Sequence, residues 1–419
     1  MIAAEAALRR VLADVFRESL AALDPARLVA EALPSRPPEG ARVRLFAAGK
    51  AAAAMARGAI SRWGDGIEAT LVVTVEGAPI AFRGSDLQSA PVVLRAAHPV
   101  PDERSVAAAH AALAHVRGLG PADRVLALIS GGSSALLVLP PPGLDLDDER
   151  RVVRALLEGG APIHDVNLVR RHLSRIKGGR LAAAAAPAFV ETLALSDVVG
   201  GALHDIGSGP TVPDPTTAAE ARAALARYAP AALAARLAPH LDDTETPFPT
   251  RTAARLLAGP EDFARAAAAN LSARGFSVRI EPPEGGDARA VVEKRLAQAA
   301  ALDPGSAIVV ACEPTLALPP ERGHGGRAGW VALAALRRLP PGVALLCGAS
   351  DGTDGSSSAA GAVVSPGAAT EIDAARIDAA LAGYDDAAIH HALGTAIDTG
   401  PTGQNLTDLH ILARVFPEN

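Results

Sequence analysis

Lysine is almost missing from this sequence: of 40 lysine and arginine residues, only Lys50, Lys177 and Lys294 are lysine. Arginine fills nearly every other cationic position, within a bias toward Ala, Arg, Gly and Pro that is typical of GC-rich coding. A lysine kept against that drift is a candidate for a role that a planar guanidinium does not copy, because lysine puts a compact charge on a flexible stem. Lys294, in AVVEKRLAQAA, reads as surface, whereas Lys50 and Lys177 stand beside glycines. Cysteine is scarce too. Cys312 and Cys347 lie in apolar strand-like runs, which excludes a disulfide framework or a zinc site and predicts buried thiols in a reducing, cytoplasmic setting. No apolar run approaches the roughly 18 residues of a membrane span. The opening stretch repeats Leu8, Val11, Leu12, Val15 and Leu20 at helical spacing with charges between, so it reads as an amphipathic helix rather than a signal peptide. A basic surface is also absent: the formal net charge of -6 argues against a nucleic-acid partner.

What is present is apolar content of 49% in 419 residues, enough for two cores. Strand-like runs alternate with helix-like segments: RVRLFAAG, ATLVVTV, PVVLRAAH, DRVLALIS and FVETLALS are strands, and PDERSVAAAHAALAHV is a helix with Pro, Asp and Glu at its start. The alternation predicts an α/β protein whose first domain is a Rossmann-like, doubly wound, mostly parallel sheet. Residues from about 217 to 250 turn Ala-rich, then Pro- and Thr-rich, and read as a boundary between domains 1–240 and 241–419. A second α/β series follows: RLLAG, FSVRIEP, AIVVACEP, GVALLCGAS and LHILARVF. Two such domains predict an active site in the cleft between them.

The polar motifs fall at strand ends. In VLALISGGSSALLVLP, residues 125–140, an apolar strand stops at Ser130, and Gly131, Gly132, Ser133 and Ser134 form a turn into a helix. The turn suits either a serine nucleophile elbow or a phosphate cradle. A hydrolase needs a downstream acid and histidine; no downstream histidine stands in a recognisable context, so the cradle is the better reading. FAAGKAA puts Lys50 after a strand. It is not a Walker P-loop, because Arg44 stands where the first glycine belongs and Ala51 replaces the metal-holding Ser or Thr. Lys50 is left as a phosphate-binding cation or a lysine capping a cleft. ERGHGGRAGW sets Gly325, Gly326 and Arg327 ahead of a helix; it does not follow its strand directly, so phosphate or carboxylate binding fits better than a dinucleotide. Asp351 and Asp354 in CGASDGTDG, and Asp197 in LSDVVGG, are candidates for Mg²⁺ bound through phosphates, or for capping the turns they sit in. The helix NLVRRHLSRIKGG gathers Arg170, Arg171, His172, Arg175 and Lys177, either for a small anion or for its own helix dipole.

In this order, AAGKAAAAMA, HPVPD, LISGGSSALL, RRHLSRIKGGRLA, SDVVG with IGSGPTVPDPTT, GHGGR, GASDGTDG and TGPTGQNLTDL resemble the class II glycerate kinases, the glycerate 2-kinase family with a C-terminal MOFRL domain. The resemblance runs from about residue 45 to 410 and implies a glycerate kinase domain at 1–240 and a MOFRL domain at 241–419. It implies transfer of the ATP γ-phosphate to D-glycerate, giving 2-phosphoglycerate, with Mg²⁺ or another divalent cation, in a monomer or homodimer. Members have often been labelled hydroxypyruvate reductases. The family's catalytic lysine and arginine fall on Lys50 and Arg327. On this kinase reading, nucleotide binding is expected at Gly131, Gly132, Ser133, Ser134, Lys177, Gly325 and Gly326, and metal binding or proton acceptance at Asp197, Asp351 and Asp354. After Arg327 the chain departs: Ala328, Gly329 and Trp330 replace the usual Asn, Gln and Glu. That departure keeps a non-catalytic glycerate- or nucleotide-binding relative as an alternative; an NAD-dependent hydroxypyruvate reductase is a further one, which the misplaced glycine fingerprint argues against.

Overall fold

In the computed structural model, residues 1–82, 88–241, 248–249 and 251–417 are described. They form two compact units, one of Pro25–Leu257 and one of Met1–Asp24 with Ala258–Asn419.

The first unit is built on β1 (Val43–Ala48), β2 (Ala69–Val75), β3 (Val92–Ala96), β4 (Arg124–Ser130), β5 (Phe189–Leu195) and β6 (Thr252–Ala258), in the order β3-β2-β1-β4-β5-β6. The pairings from β3 through β5 are parallel. β1 and β4 are almost wholly buried, as continuous apolar strands must be when helices cover both faces of a parallel sheet. The helix Glu103–Val116 starts as its sequence predicts. Asp102 accepts the Arg104 N–H, and Ser105 returns the favour by accepting the Asp102 N–H. Its face of Ala108, Ala109, Ala112, Leu113 and Val116 joins Phe46, Val73 and Ala127 in one core.

The second unit holds a mixed sheet of β7 (Ser277–Ile280), β8 (Glu284–Asp287), β9 (Ser306–Thr315), β10 (Val343–Ala349), β11 (Gly361–Val364) and β12 (Asp408–Arg414). Its order is β11-β10-β12-β9-β7, with β8 also on β9; β12 runs antiparallel to both β9 and β10. The opening helix, Ile2–Ala22, belongs here. Leu12, Val15 and Phe16 are fully buried, and Phe16 meets Phe263 at 5.9 Å between ring centroids. Glu5 is buried beside them, its two carboxylate oxygens accepting the Gly342 N–H at 2.8 Å and the Gly367 N–H at 2.7 Å.

Two features depart from the linear division at 240 and 241. RLLAG, expected to open the second series, is β6 of the first sheet. The N-terminal helix joins the second unit. Helical periodicity announces an apolar stripe but does not say which surface covers it. β8 and β11 were not expected: EGGD and GAVV are four-residue strands within glycine-rich stretches, too short for a period to show.

Candidate active site

In the first sheet, the chain leaves β1 toward β2 and leaves β4 toward β5, so the strand order reverses between β1 and β4. Open α/β sheets bind ligands at such a point, beyond the carboxyl ends of the strands. Here those ends carry Gly49 and Lys50 on one side and residues 130–134 on the other. The two turns are stapled together. The Lys50 N–H donates to Gly131 O at 3.0 Å, and the Ala51 N–H donates to Ser130 Oγ at 3.0 Å. Gly49 has φ +125°, and a Cβ there would lie 2.2 Å from Ser130 Oγ, so only glycine allows the staple.

Gly132 has φ +84°, and a Cβ on it would lie 3.2 Å from Lys50 Cγ and 3.3 Å from His98 Cδ2. The bare glycine therefore sits against both side chains. Lys50 is half-buried and His98 is exposed. His98 follows β3, and the preceding Ala97 N–H donates to Asp102 Oδ1 at 3.5 Å, which ties this segment to the helix cap. The sequence reading quoted HPVPD without singling out its histidine. The available signal was a titratable residue two positions past a strand end.

Ser133 is fully buried, and its hydroxyl has no hydrogen-bond partner among the described residues. A Cβ on Gly207 would fall 1.8 Å from that oxygen, so the loop at residues 206–209 closes over it. A sealed hydroxyl without a base is no nucleophile. Ser134 Oγ lies 2.8 Å from Ser208 Oγ.

Lys177 is a correction. It was assigned to the nucleotide, but its Nζ is fully buried and donates to Leu137 O at 2.6 Å, with Glu149 Oε1 at 3.8 Å. Burial lowers its pKa to about 8. Arg170 donates to Ser134 O at 3.1 Å and to Glu149 at 3.4 Å. Lys177 and Arg170 thus hold the carbonyl side of the short helix Ser133–Leu136. Arg171 is buried on Asp214 and Asp205, and His172 lies 3.2 Å from Thr216 Oγ1. The helix Ile163–His172 ends before the expected run does, so Arg175 and Lys177 lie in the turn after it; the basic residues are largely neutralised internally, and Arg175 is the one exposed cation from Arg170 to Lys177.

In the second unit, Arg327 opens the helix Arg327–Leu336. Its Nε and one Nη donate to the two oxygens of Asp408 at 2.7 and 3.1 Å, and the other Nη donates to Glu313 at 3.2 Å. Burial works against its charge, but Asp408 and then Glu313 outweigh that and raise its pKa. Two further assignments need correction here. Gly325 and Gly326 were expected to cradle phosphate, yet the Gly325 N–H donates to Ser356 Oγ and the Gly326 N–H serves the Asp386 carboxylate. Asp354 was expected to bind metal, yet it is buried and accepts the Ala328 N–H at 3.1 Å and the Gly329 N–H at 2.7 Å. The anion at this helix start is the protein's own. Burial, then the charge of Asp408, raises the Asp354 carboxyl to about 8 although the two N–H donors pull the other way. Burial likewise raises Asp386 to about 7. Asp386 was missed because nothing in YDDAAIHH distinguishes a buried carboxyl from an exposed one. Asp351 is half-buried and accepts the Thr353 N–H in a turn, and Asp197 is half-buried just past β5. Among the described residues no group of three or more His, Cys, Asp or Glu side chains could hold a metal ion, so the predicted carboxylates do not fit a protein-built metal centre.

Residues 11–242 match a family model described as a domain of unknown function (DUF4147), and residues 306–408 match the MOFRL family. The chain is 34% identical to the D-glycerate 2-kinase of Thermotoga maritima, over 96% of this chain and 98% of that protein. It is 39% identical, over 96% of its length and 94% of the relative, to a protein of Agrobacterium vitis that carries a provisional hydroxypyruvate reductase name. A crystal structure of glycerate kinase from Thermotoga maritima matches with a TM-score of 0.82 at 31% identity, over 98% of this chain and 100% of that one.

Proposed function

The chain belongs to the class II glycerate kinases, the family with a C-terminal MOFRL domain, and from that membership we propose that it transfers the γ-phosphate of ATP to the 2-hydroxyl of D-glycerate. The products are 2-phosphoglycerate and ADP. The observation that carries this reading is the crevice at the ends of β1 and β4, where Lys50 stands beside the bare turn of Gly131 and Gly132. Phosphoryl transfer asks a protein mainly to position its substrates and to offset developing charge. Lys50 is the proposed cation, and the backbone of residues 131–134 the proposed cradle. Arg327 is proposed as a second catalytic cation, one whose charge is already shared with Asp408 and Glu313. A divalent cation such as Mg²⁺ is proposed to arrive on the phosphates of the nucleotide, in keeping with its preference for phosphate and water ligands. The reductase reading finds less support. The first strand-to-helix turn is AAGKAA, without the glycine fingerprint of a dinucleotide fold, and the amides of the GHGGR loop are taken by protein side chains.

Phosphorus NMR of the purified protein with ATP, Mg²⁺ and D-glycerate tests the proposal. A 2-phosphoglycerate resonance growing with ADP is expected. Formation of 3-phosphoglycerate overturns the regiochemistry, and intact ATP overturns the reaction.

A further inference from the structure

Among the described residues, three that are not glycine have a positive φ: Ser208 at +59°, Tyr384 at +53° and Thr407 at +82°. Tyr384 caps the end of the helix Ala374–Gly383, where left-handed backbone is ordinary. Ser208 is unbranched and shares a short left-handed turn with Gly207 and Gly209. Thr407 is the outlier. Its Cβ is branched, it is buried, and it stands directly before β12 rather than at a helix end. Such strain persists only where the surroundings over-determine it, and it gathers at functional sites.

The surroundings here are the two strands that flank β12. Thr407 Oγ1 donates to Cys312 O on β9 at 3.3 Å, and the Thr407 carbonyl accepts the N–H of Ser350, just past β10, at 3.1 Å. Ser350 Oγ in turn accepts the Leu406 N–H at 2.7 Å. The Thr407 carbonyl belongs to the peptide that leads into Asp408, so these bonds fix the plane from which the Asp408 side chain departs. Asp408 lies opposite Cys312 on one side and Ala349 on the other, and its two oxygens hold Nε and one Nη of Arg327. With Glu313 on the other Nη, each Nη keeps one N–H without a partner among the described residues, on a side chain that is one-third exposed.

We propose that Thr407 is a positioning residue: locked to both neighbouring strands, its left-handed backbone aims Asp408, and Asp408 presents the remaining N–H bonds of Arg327 to the transferring phosphoryl group. The inference rests on the kinase reading above, in which Arg327 is a catalytic cation. Glycine adopts a φ of this kind without steric strain. A threonine where glycine is the easier occupant supplies geometry rather than stability.

The test compares wild type, T407G, R327A and T407G/R327A with ATP, Mg²⁺ and D-glycerate, each with its melting temperature. In T407G the relieved strain offsets the lost bond to Cys312, so the melting temperature is expected to hold or rise. Its kcat is expected to fall about ten- to a hundred-fold, the effect of a displaced reacting group, with KM for both substrates held. In the R327A background the same substitution is expected to change kcat by less than about two-fold, because the group through which Thr407 acts is gone. Full kcat in T407G, a loss confined to KM, a kcat loss that persists undiminished in R327A, or a melting temperature that falls together with kcat each overturns the proposal while the kinase stands. A wild-type chain that forms no phosphoglycerate overturns the kinase reading and the positioning role together.

Discussion

Asp386 occupies the space that a side chain on Gly329 would need: a Cβ there would lie 2.1 Å from Asp386 Oδ2. Gly329 is held on its other sides as well, its N–H on Asp354 and its carbonyl 2.9 Å from His390 Nε2. In most helix interiors, replacing glycine by alanine stabilises by about 1 kcal/mol. Here the clash reverses the sign. G329A is expected to lose about 1–3 kcal/mol in urea unfolding, the usual range for overpacking. Adding D386A should return part of that loss, and a purely additive double mutant would show that the contact is not the cause.

The same two carboxyls set a pH dependence. Asp354 is raised to about 8 and Asp386 to about 7, chiefly by burial, from an ordinary 3.8. The folded state therefore holds protons that the unfolded state has released. Stability falls wherever the folded state binds more protons as pH rises. The contribution is complete below about pH 4 and is lost through about pH 7 and 8. D386N is expected to flatten the decline in melting temperature between pH 5 and 8, measured against wild type in matched buffers. An unchanged slope would return Asp386 to ordinary titration.

The two proposed catalytic cations should separate by stability. K50A is expected to lose about a hundred- to a thousand-fold in kcat, the cost of removing one charge-stabilising donor, with a smaller change in melting temperature than R327A. R327A leaves Asp408 buried without its bidentate partner. Breaking a buried pair costs about 3–5 kcal/mol, and the one-third exposure of the Arg327 side chain brings the expectation down to about 2 kcal/mol. A comparison of R327A with R327A/D408N resolves how much lost activity follows from lost structure.

Lys177 predicts the reverse of an active-site lysine. K177M should destabilise by about 1–3 kcal/mol, because it takes the buried donor away from the Leu137 carbonyl and leaves Glu149 to Arg170. A K177M protein of wild-type stability would mean that the lysine is not holding the Leu137 carbonyl.

Much of this was legible in the chain. Runs such as ATLVVTV and DRVLALIS became β2 and β4 because a strand buried on both faces must be apolar throughout. Lys50 beside the SGGSS turn was legible because both lie just past such runs. The destination of a polar group was not. Lys177 and Lys50 share glycine neighbours in sequence, yet one is sealed under a helix and the other faces the crevice. Asp354 looked like a metal ligand because a carboxylate in a glycine turn reads alike whether it meets a cation or two backbone amides. His98 went unremarked because its position beside Gly132 joins two turns that follow different strands.

The docking of Ile2–Ala22 beside Gly342 and Gly367 makes the second unit discontinuous in sequence. On the ribosome its first helix appears before any of its partners, and the intervening unit, Pro25–Leu257, is synthesised in between. Domains fold largely in the order in which they emerge. The opening helix must therefore wait, its apolar stripe uncovered, until β10 and β11 exist to receive it. A fragment that begins at Ala258 would expose the surface that Phe16 and Leu12 cover.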